Sequence, residues 1–380
     1  MEDKHGRKIL FLLTSYDWMR PYAMAVLNSL MERGCHAIAV VERKQSIGDF
    51  AHFPAGDVTV FEMPHGKVPA RLFTIYPSAV AREIRRVIAV KGIELVMVLT
   101  IDIVLSRVVP RLQKRIPLLY VVHDAKPHEV VRGSLKERVN QYFIFDRPQQ
   151  SLIRSTHYQV TNSLAQQEYL RRRFTRKSVY YLPFPSLVDK CVAEGTRMMP
   201  ELEGVDRYIL FFGKIEFYKG VHRLYEVYMA DKRLHRHKLV IVGSGDIYFP
   251  TAPCDNVIVV NRYVGDDEIA ELYRHAAVVV YPYVSATQSG VLSVASYFGK
   301  PMVVSDVPFF REVAAGAKGV TIVDIADDAA FADALLQSAE SGESSRQLYD
   351  TAYSDYLIKK RFAEVVDDVL SAYSHNNKSR

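Results

Sequence analysis

Short apolar runs alternate with segments of helical periodicity along most of the chain, and this alternation constrains the fold more than any other feature. Hydrophobic runs without polar alternation are typical of parallel strands that helices cover on both faces. The first series of runs is KILFLLTS, HAIAVVE, VTVFEMP, ELVMVLT, PLLYVVHD, YQVTNS and VYYLPFP. Helical periodicity between these runs includes residues 20–33 and 72–91. The first half therefore predicts a parallel α/β sheet.

A second series begins at Tyr208, after residues 186–206, which show no clear period. Its runs are YILFFG, KLVIVGSG, NVIVVNRY, AVVVYPY, PMVVSD and GVTIVD, and helical periodicity falls at residues 220–234, 266–275 and 290–299. The pattern predicts an α/β fold of two Rossmann-like, doubly wound domains at residues 1–186 and 207–345, followed by helices at residues 346–380. Two such domains in tandem are expected to face each other across a cleft, where the carboxyl ends of parallel strands bind ligands.

Cysteine usage and the amino terminus indicate a cytoplasmic protein. Cys35, Cys191 and Cys254 lie far apart in no metal-ligand or redox spacing, which suits a reducing compartment. The amino-terminal apolar run is short and lacks a small-residue cleavage site, so it predicts a first strand and not a signal peptide. No apolar stretch is long enough to cross a bilayer.

The charge is divided unevenly between the halves. Residues 1–190 carry 29 Lys and Arg against 17 Asp and Glu, whereas residues 191–380 carry 20 against 26. A basic first half predicts an anionic partner, either nucleic acid or an anionic membrane surface. Its basic residues cluster at helical spacing: Arg82, Arg85, Arg86 and Lys91; Arg107, Arg111, Lys114 and Arg115; Arg171, Arg172, Arg173, Arg176 and Lys177. Scattered solvated helix faces are the alternative interpretation.

The segment FFGKIEFYKG contains two lysines suited to a pyrophosphate. A strand ends at Gly213, Lys214 follows it, and Lys219 precedes the next helix. Two ammonium groups at a strand end and a helix amino terminus can clamp a diphosphate, assisted by the unpaired N–H groups of the helix. The alternative is a pair of solvated lysines in a connecting loop.

The segment KLVIVGSGD places Gly243 and Gly245 after a strand, where they allow a ligand or another backbone to approach closely. A simple tight turn explains the pattern equally well. It is not a dinucleotide fingerprint, because Tyr248 occupies the third glycine position.

Two further strand ends carry polar groups. Gln288, Ser289 and Gly290 form a polar approach to a helix of small residues, where a hydroxyl and free amides can bind an anion, although an ordinary helix cap is the alternative. His123 follows a strand directly and can donate to a sugar hydroxyl or to developing charge, although a single histidine is often structural. The chain contains no Asp-x-Asp, P-loop, G-x-S-x-G, H-E-x-x-H or Cys-x-x-Cys motif, which leaves hydrolase and zinc-site functions without support.

In their order and spacing these motifs resemble the retaining GT-B glycosyltransferases of family 4, also described as glycosyl transferases group 1. The resemblance covers roughly residues 207–315 and extends more loosely to the His-Asp and T-N-S strand ends of the first half. It implies that Lys214 and Lys219 bind the donor's diphosphate and that His123 contacts the transferred sugar. It also implies that the Gly213, Gly243 and Gly245 loops and the segment Gln288, Ser289, Gly290 line the donor site, and that the last helix packs back on the first domain.

Three departures from the family pattern matter for the site. The two glutamates that the family carries around the third motif correspond to Ala286 and Val294, and we hypothesise that Gln288 substitutes for one of them. The Gly-Gly loop after the first strand is replaced by a bulky segment whose Tyr16, Trp18 and Arg20 are candidate acceptor-binding residues; for Trp18 the alternative is packing at the domain interface. The segment V-N-R-Y replaces a glycine-containing loop near the base, which makes Arg262 and Tyr263 candidate donor contacts.

The resemblance therefore implies a metal-independent glycosyltransferase without a cofactor. It would move a sugar from a UDP- or GDP-linked donor to a glycan acceptor, lipid-linked, in bacterial polysaccharide or lipopolysaccharide assembly, with the first domain at the inner face of the cell membrane. Alternatives are a non-catalytic nucleotide-sugar-binding partner subunit, motivated by the missing glutamates, and a nucleotide-sugar 2-epimerase. Nucleic acid is not expected as a partner, since no recognised reader motif is present.

Overall fold

The computed structural model describes residues 7–14, 19–41, 48–101, 103–125, 138–139, 142–250, 254–348 and 351–378. The chain divides into two compact units, the first formed by Met1–Pro185 and Tyr356–Arg380 and the second by Ser186–Asp355. Each unit is built around one parallel sheet.

The sheet of the first unit has seven strands among the described residues, in the order β3-β2-β1-β4-β5-β6-β7. Its strands are β1 Ile9–Thr14, β2 His36–Val41, β3 Val58–Glu62, β4 Leu95–Val98, β5 Leu118–Val121, β6 Tyr158–Thr161 and β7 Ser178–Tyr181. β1, β2, β4 and β5 are rich in buried aliphatic side chains, so helices can cover both faces of the sheet. The reversal of strand order beside β1 is that of a doubly wound sheet.

Helices cover both faces of this sheet. They are α1 Arg20–Leu30, α2 Lys67–Ile75, α3 Ser78–Lys91, α4 Ile103–Leu112, a single π-helical turn Tyr142–Asp146, α5 Arg147–Ser155 and α6 Leu164–Arg173. One face packs against α3, α4, α5 and α6, and the other against α1 and the C-terminal helix Thr351–Lys378.

The C-terminal helix joins the first unit through one apolar face. Its side chains Ile358, Phe362, Val365, Val366 and Val369 are all buried, at the three- and four-residue spacing of a helix. Phe362 stacks on Phe11 of β1 with ring centroids 6.3 Å apart. Burying an aliphatic or aromatic side chain contributes roughly 1.5–3 kcal/mol, so these contacts fasten the helix to the sheet.

The helical pattern predicted over residues 72–91 is wrong as one helix, because α2 and α3 are separate. Pro77 cannot donate the hydrogen bond that would continue α2, and its ring disfavours helical geometry at the preceding residue. Tyr76 accordingly has φ −121° and ψ 69°. The break leaves α2 as an independent element.

One predicted basic cluster is partly internal. The ammonium group of Lys177 donates to the backbone carbonyls of Ile153, Arg154 and Thr156 at 2.7, 2.8 and 2.6 Å. These carbonyls end α5, where a helix lacks partners and a cation is favourable. Lys177 is therefore a helix-capping residue and does not belong to an exposed basic face.

In the described part of the second unit, the sheet has six strands in the order β10-β9-β8-β11-β12-β13, all parallel. They are β8 Tyr208–Phe212, β9 Leu239–Val242, β10 Val257–Val260, β11 Ala276–Tyr281, β12 Met302–Ser305 and β13 Val320–Val323. The helices are α7 Lys190–Glu194, α8 Val221–Ala230, α9 Asp266–Arg274, α10 Val291–Tyr297, α11 Pro308–Ala314 and α12 Asp328–Ser341, with short 3-10 turns at Pro200–Leu202, Phe217–Lys219, Lys232–Arg236 and Arg346–Leu348. The prediction of two Rossmann-like α/β domains is confirmed.

Candidate functional site

The first two motifs of the second unit meet through their backbones at the carboxyl edge of its sheet. The N–H of Gly213 donates to the carbonyl of Val242, and that of Ile215 donates to Ser244, each at 3.0 Å. A Cβ on Gly243, which has φ +149°, would lie 1.8 Å from the carbonyl oxygen of Gly213. Of the explanations for the Gly-Ser-Gly segment, the structure favours close approach of another backbone.

Asn261 fixes this loop from the neighbouring strand end. Its amide nitrogen donates to the carbonyl of Gly245 at 2.9 Å, and its oxygen accepts from the Gly245 N–H at 3.1 Å. The paired bonds hold the loop as a backbone strand would. Sequence reasoning missed this residue, although its amide side chain immediately after a strand was a signal that could have revealed it.

The two lysines of the first motif have different surroundings. Lys214 is half-exposed and its ammonium nitrogen lies 2.5 Å from a carboxylate oxygen of Glu216. The ammonium nitrogen of Lys219 lies over two aromatic rings, 3.9 Å from the centroid of Tyr283 and 4.9 Å from that of Tyr218. Among the described residues, no ion pair involves Lys219.

Tyr283 connects the first motif to the third. Its side chain is 1% exposed, and its hydroxyl shares a hydrogen bond of 3.0 Å with the hydroxyl of Ser289. The Ser305 hydroxyl donates to the Tyr283 carbonyl at 2.6 Å, which fixes the tyrosine backbone. The N–H of Val284 also donates to the carbonyl of Tyr218 at 2.8 Å. Lys219 thus lies over the ring of this buried tyrosine, and Ser289 is hydrogen-bonded to its hydroxyl.

Gly220 permits this closeness of the two motifs. It has φ +67° and immediately precedes α8, and a Cβ there would lie 1.7 Å from the carbonyl oxygen of Pro282. Only glycine combines that conformation with that contact at low cost. Substitution would force apart the segments that carry Lys219 and Tyr283.

The third motif is not an ordinary side-chain cap. The residue preceding α10 is Gly290, which has no side chain that could cap the helix. The Ser289 hydroxyl is directed to Tyr283 instead. Gln288, Ser289 and Gly290 are all partly accessible.

Arg262 belongs to an ion-pair network. Its guanidinium donates two hydrogen bonds to Glu268, at 2.8 and 2.9 Å, and two to Glu201, at 3.1 and 3.2 Å. These bonds hold the pKa of the buried Glu268 carboxyl below its ordinary value. A donor contact from Arg262 would have to disrupt this network, whereas the neighbouring Tyr263 is 57% exposed.

His123 of the first unit is buried at the carboxyl end of β5. Its Nε2 donates to the carbonyl of Leu99 at 2.6 Å, and its ring packs edge-on against Tyr22 with centroids 4.6 Å apart. Burial lowers the pKa of His123, although the Leu99 carbonyl and Asp124 act in the opposite direction. The imidazole is therefore neutral near neutral pH, and its Nε2 proton is engaged within the protein.

Gln166 positions the segment that carries His123. Its side-chain nitrogen donates to the His123 carbonyl at 2.9 Å, and its side-chain oxygen accepts from the N–H of Ala125 at 2.7 Å. The sequence offered no local signal for this contact, because Gln166 lies on α6, far along the chain.

The candidate acceptor residues are described only in part. Tyr16 and Trp18 lie outside the described residues. Arg20, at the start of α1, forms a two-pronged ion pair with the largely buried Asp49, with distances of 2.6 and 2.7 Å. The pair fixes the guanidinium beside α1.

The part of the chain that the structure describes contains no cluster of three or more His, Cys, Asp or Glu side chains arranged to hold a metal ion. Among these residues, no helix combines the length and apolar character needed to traverse a bilayer.

Two units that each contain a parallel, doubly wound sheet are the architecture of the GT-B fold. Solved structures agree with this assignment. The crystal structure of Anabaena Alr3699/HepE in complex with UDP and glucose matches with a TM-score of 0.63 and 15% identity, covering 95% of this chain and 100% of that chain. Sucrose-phosphate synthase from Thermosynechococcus elongatus matches with a TM-score of 0.61 and 14% identity, over 98% of this chain and 100% of the other. WaaG, a glycosyltransferase involved in lipopolysaccharide biosynthesis, matches with a TM-score of 0.60 and 16% identity, covering 93% of this chain and 98% of that chain.

At the level of sequence, residues 206–341 match the family described as Glycosyl transferases group 1. This segment lies wholly within the second unit and contains all the donor-site candidates of that unit. The uncharacterized glycosyltransferase MJ1607 of Methanocaldococcus jannaschii is 32% identical over 114 residues, which span 28% of this chain and 29% of that protein.

Proposed function

We propose that the chain is a glycosyltransferase whose second unit binds the diphosphate of a nucleotide-sugar donor at Lys219 and Ser289. The observation that carries the proposal is the placement of both side chains on Tyr283. The family match over residues 206–341 supports the donor role of this unit. The UDP and glucose bound in the Anabaena structure of similar fold support a nucleotide-sugar donor.

The surroundings of Lys219 suit an anionic ligand. An aromatic face attracts a cation without carrying a compensating negative charge, and such a contact contributes about 0.5–2 kcal/mol. The two tyrosines therefore position the ammonium group while its charge stays available to a phosphate. Lys214 differs, because Glu216 compensates its charge and a diphosphate would compete with that carboxylate.

In the proposed reaction, an acceptor hydroxyl oxygen forms a bond to the anomeric carbon of the sugar. The bond from that carbon to the donor phosphate breaks, and the nucleoside diphosphate leaves with the bonding electrons. The hydroxyl proton passes to the departing phosphate or to water. Lys219, Lys214 and the N–H groups around Ser289 and Gly290 would stabilise the charge that develops on the leaving oxygen.

Further parts of the proposal rest on the resemblance to the family. We assign retention of configuration, independence of metal ions, and a glycan acceptor that is lipid-linked in polysaccharide or lipopolysaccharide assembly. Neutral His123 would contact the transferred sugar, and Tyr16, Trp18 and Arg20 would serve the acceptor. Gly213, Gly243, Gly245, Tyr263 and Gln288 would shape the donor site, and Arg262 would support it through its ion pairs.

Transfer from UDP- and GDP-sugars by the purified chain tests the proposal, with K219A as the decisive variant. Removing a group that stabilises developing charge is expected to lower turnover at least about tenfold. K318A is the matched control, because Lys318 is exposed and precedes β13, at the opposite edge of the sheet. Turnover of K219A equal to that of K318A would exclude Lys219 from the donor site. Metal independence is tested separately, since turnover should be unchanged when a chelator is added.

A partner subunit that binds nucleotide-sugar without transferring it is the second candidate function. The observation in its favour is Val294, which is 3% exposed in the core where the family carries a glutamate. Donor binding without transfer or donor hydrolysis would support this function, and either reaction would exclude it.

A further inference from the structure

The helix α2 exposes an unusual amount of apolar surface. None of its residues is buried, and its large side chains include Val68 at 68% and Leu72 at 53% exposure. Tyr76, which ends the helix, is 72% exposed. Val68 and Leu72 are four residues apart and so lie on one face of the helix, and Tyr76 follows directly after the helix at the same spacing. A different side chain, Phe73, packs against the core of the first unit, so the exposed face is not the one that attaches α2 to the unit.

Basic side chains are exposed on α2 and on the helix that contacts it. Lys67 and Arg71 are exposed on α2 itself, and no acidic residue occurs between Glu62 and Glu83. The helix lies against α4. On α4, Arg107 and Arg111 are also exposed. Apolar side chains beside Lys and Arg are the composition of a helix that lies in a membrane interface.

The position of α2 also fits a surface-bound acceptor. It follows the carboxyl end of β3, and α4 follows the carboxyl end of β4. Parallel strands have all their carboxyl ends at one edge of the sheet, which is the edge where ligands bind in doubly wound folds. The starts of α2 and α4 therefore lie near the ligand-binding edge of the first unit.

We propose that α2 docks the first unit on a bilayer containing anionic phospholipid. Val68, Leu72 and Tyr76 enter the boundary between headgroups and acyl chains, while Lys67, Arg71 and the basic residues of α4 face the phosphates. The apolar side chains favour a lipid surface over nucleic acid, whose backbone offers only charge. The inference adds a partner to the proposed function, and its test does not require activity.

Flotation of the full chain with vesicles measures this docking. One vesicle preparation contains phosphatidylglycerol and phosphatidylcholine, and the other contains phosphatidylcholine alone. We expect binding to the anionic vesicles that weakens with salt, since the electrostatic part of the attraction is screened. The double variant V68S/L72S, which changes no charge, is expected to lower the partition coefficient at least about tenfold. K67E/R71E is expected to lower the partition coefficient about fivefold or more for each basic residue replaced.

Matched variants separate docking from general surface effects. V90S alters a valine of α3 that is 71% exposed. K359E/K360E reverses two exposed lysines on the C-terminal helix, which packs on the opposite face of the sheet from α2. Both controls are expected to bind like the wild type, and thermal melts of all variants verify folding.

Three results would overturn the proposal. The first is absence of binding to anionic vesicles, and the second is equal loss in the V90S or K359E/K360E controls. The third is that the wild type forms a dimer or a complex with duplex DNA, and that V68S/L72S or K67E/R71E abolishes this association. In that outcome the same variants would still bind vesicles. Normal vesicle binding by a chain that transfers no sugar would contradict the proposed function and leave the docking intact.

Discussion

In the proposed donor site, single residues of the second unit determine how an anion would be held. Lys219 lies over the faces of Tyr218 and Tyr283, and it pairs with no carboxylate among the residues that the structure describes. A carboxylate would position the ammonium group as firmly, but it would also compete with a diphosphate for the same charge. The hydroxyl of Tyr283 then orients Ser289, so one buried ring aligns two groups that we assign to the donor.

The variant Y283F tests this positioning role. It keeps the ring beneath Lys219 but removes the hydrogen bond to Ser289, which is expected to lower kcat roughly three- to tenfold. Y283L removes the aromatic face as well as the hydroxyl, and it is expected to raise the Kd for nucleotide above that of Y283F. Y297F is the control, since Tyr297 is a partly exposed residue of α10. Steady-state kinetics and calorimetry would contradict the role if Y283F and Y297F behaved alike.

The residues of the candidate site were only partly predictable from the sequence. Lys219 and Ser289 could be proposed because they follow strands or precede helices, and those positions are visible in the hydrophobic pattern. Tyr283 and Gln166 could not, because their roles depend on segments that are adjacent only in the folded chain. Asn261 was missed although its amide directly follows a strand. For Arg262 the pattern suggested a ligand contact, while its guanidinium is engaged with Glu201 and Glu268.

At the scale of elements, the strands were the most predictable part. Each apolar run corresponds to one strand, because strands covered on both faces need continuous hydrophobic side chains. Helix ends were less predictable. Residues 220–234 form α8 and a separate 3-10 turn, since the Asp231 side chain accepts from the Arg233 N–H at 2.9 Å and ends the regular helix.

The buried histidine His36 on β2 predicts that the protein loses stability in acid. Burial, with a contribution from Lys91, lowers the pKa of His36 on β2 to about 4. Between pH 6.5 and 4 the unfolded chain therefore binds a proton at this histidine that the folded chain does not bind. The free energy of unfolding is expected to fall as the pH drops through this window, by about 2 kcal/mol at pH 5 from His36. The buried His123 contributes in the same direction.

Denaturant unfolding of the wild type and H36Q between pH 7.5 and 5 measures this effect. H36Q is expected to show a shallower decline, because glutamine does not titrate. H65Q is the control, since His65 is exposed, and it should retain the slope of the wild type. An identical slope in H36Q would show that His36 is not the source.

At the scale of the whole molecule, the two units differ in charge as well as in proposed task. The first half is basic and contains α2, whereas the second half is acidic overall and matches the transferase family over residues 206–341. The fold class could be predicted because it depends on hydrophobic pattern alone. The donor sugar, the base and the acceptor could not, because they depend on side-chain positions within pockets, which pattern does not encode.

The proposed function requires a donor diphosphate to bind at Lys219 and Ser289. Crystals grown with UDP, and separately with GDP, would show where the phosphates lie. We predict that the diphosphate oxygens of one nucleotide lie within hydrogen-bond distance of the Lys219 ammonium nitrogen and of the N–H groups at Ser289 and Gly290. A nucleotide bound with its phosphates elsewhere, and with Lys219 still resting on Tyr283 without an anion, would contradict the account.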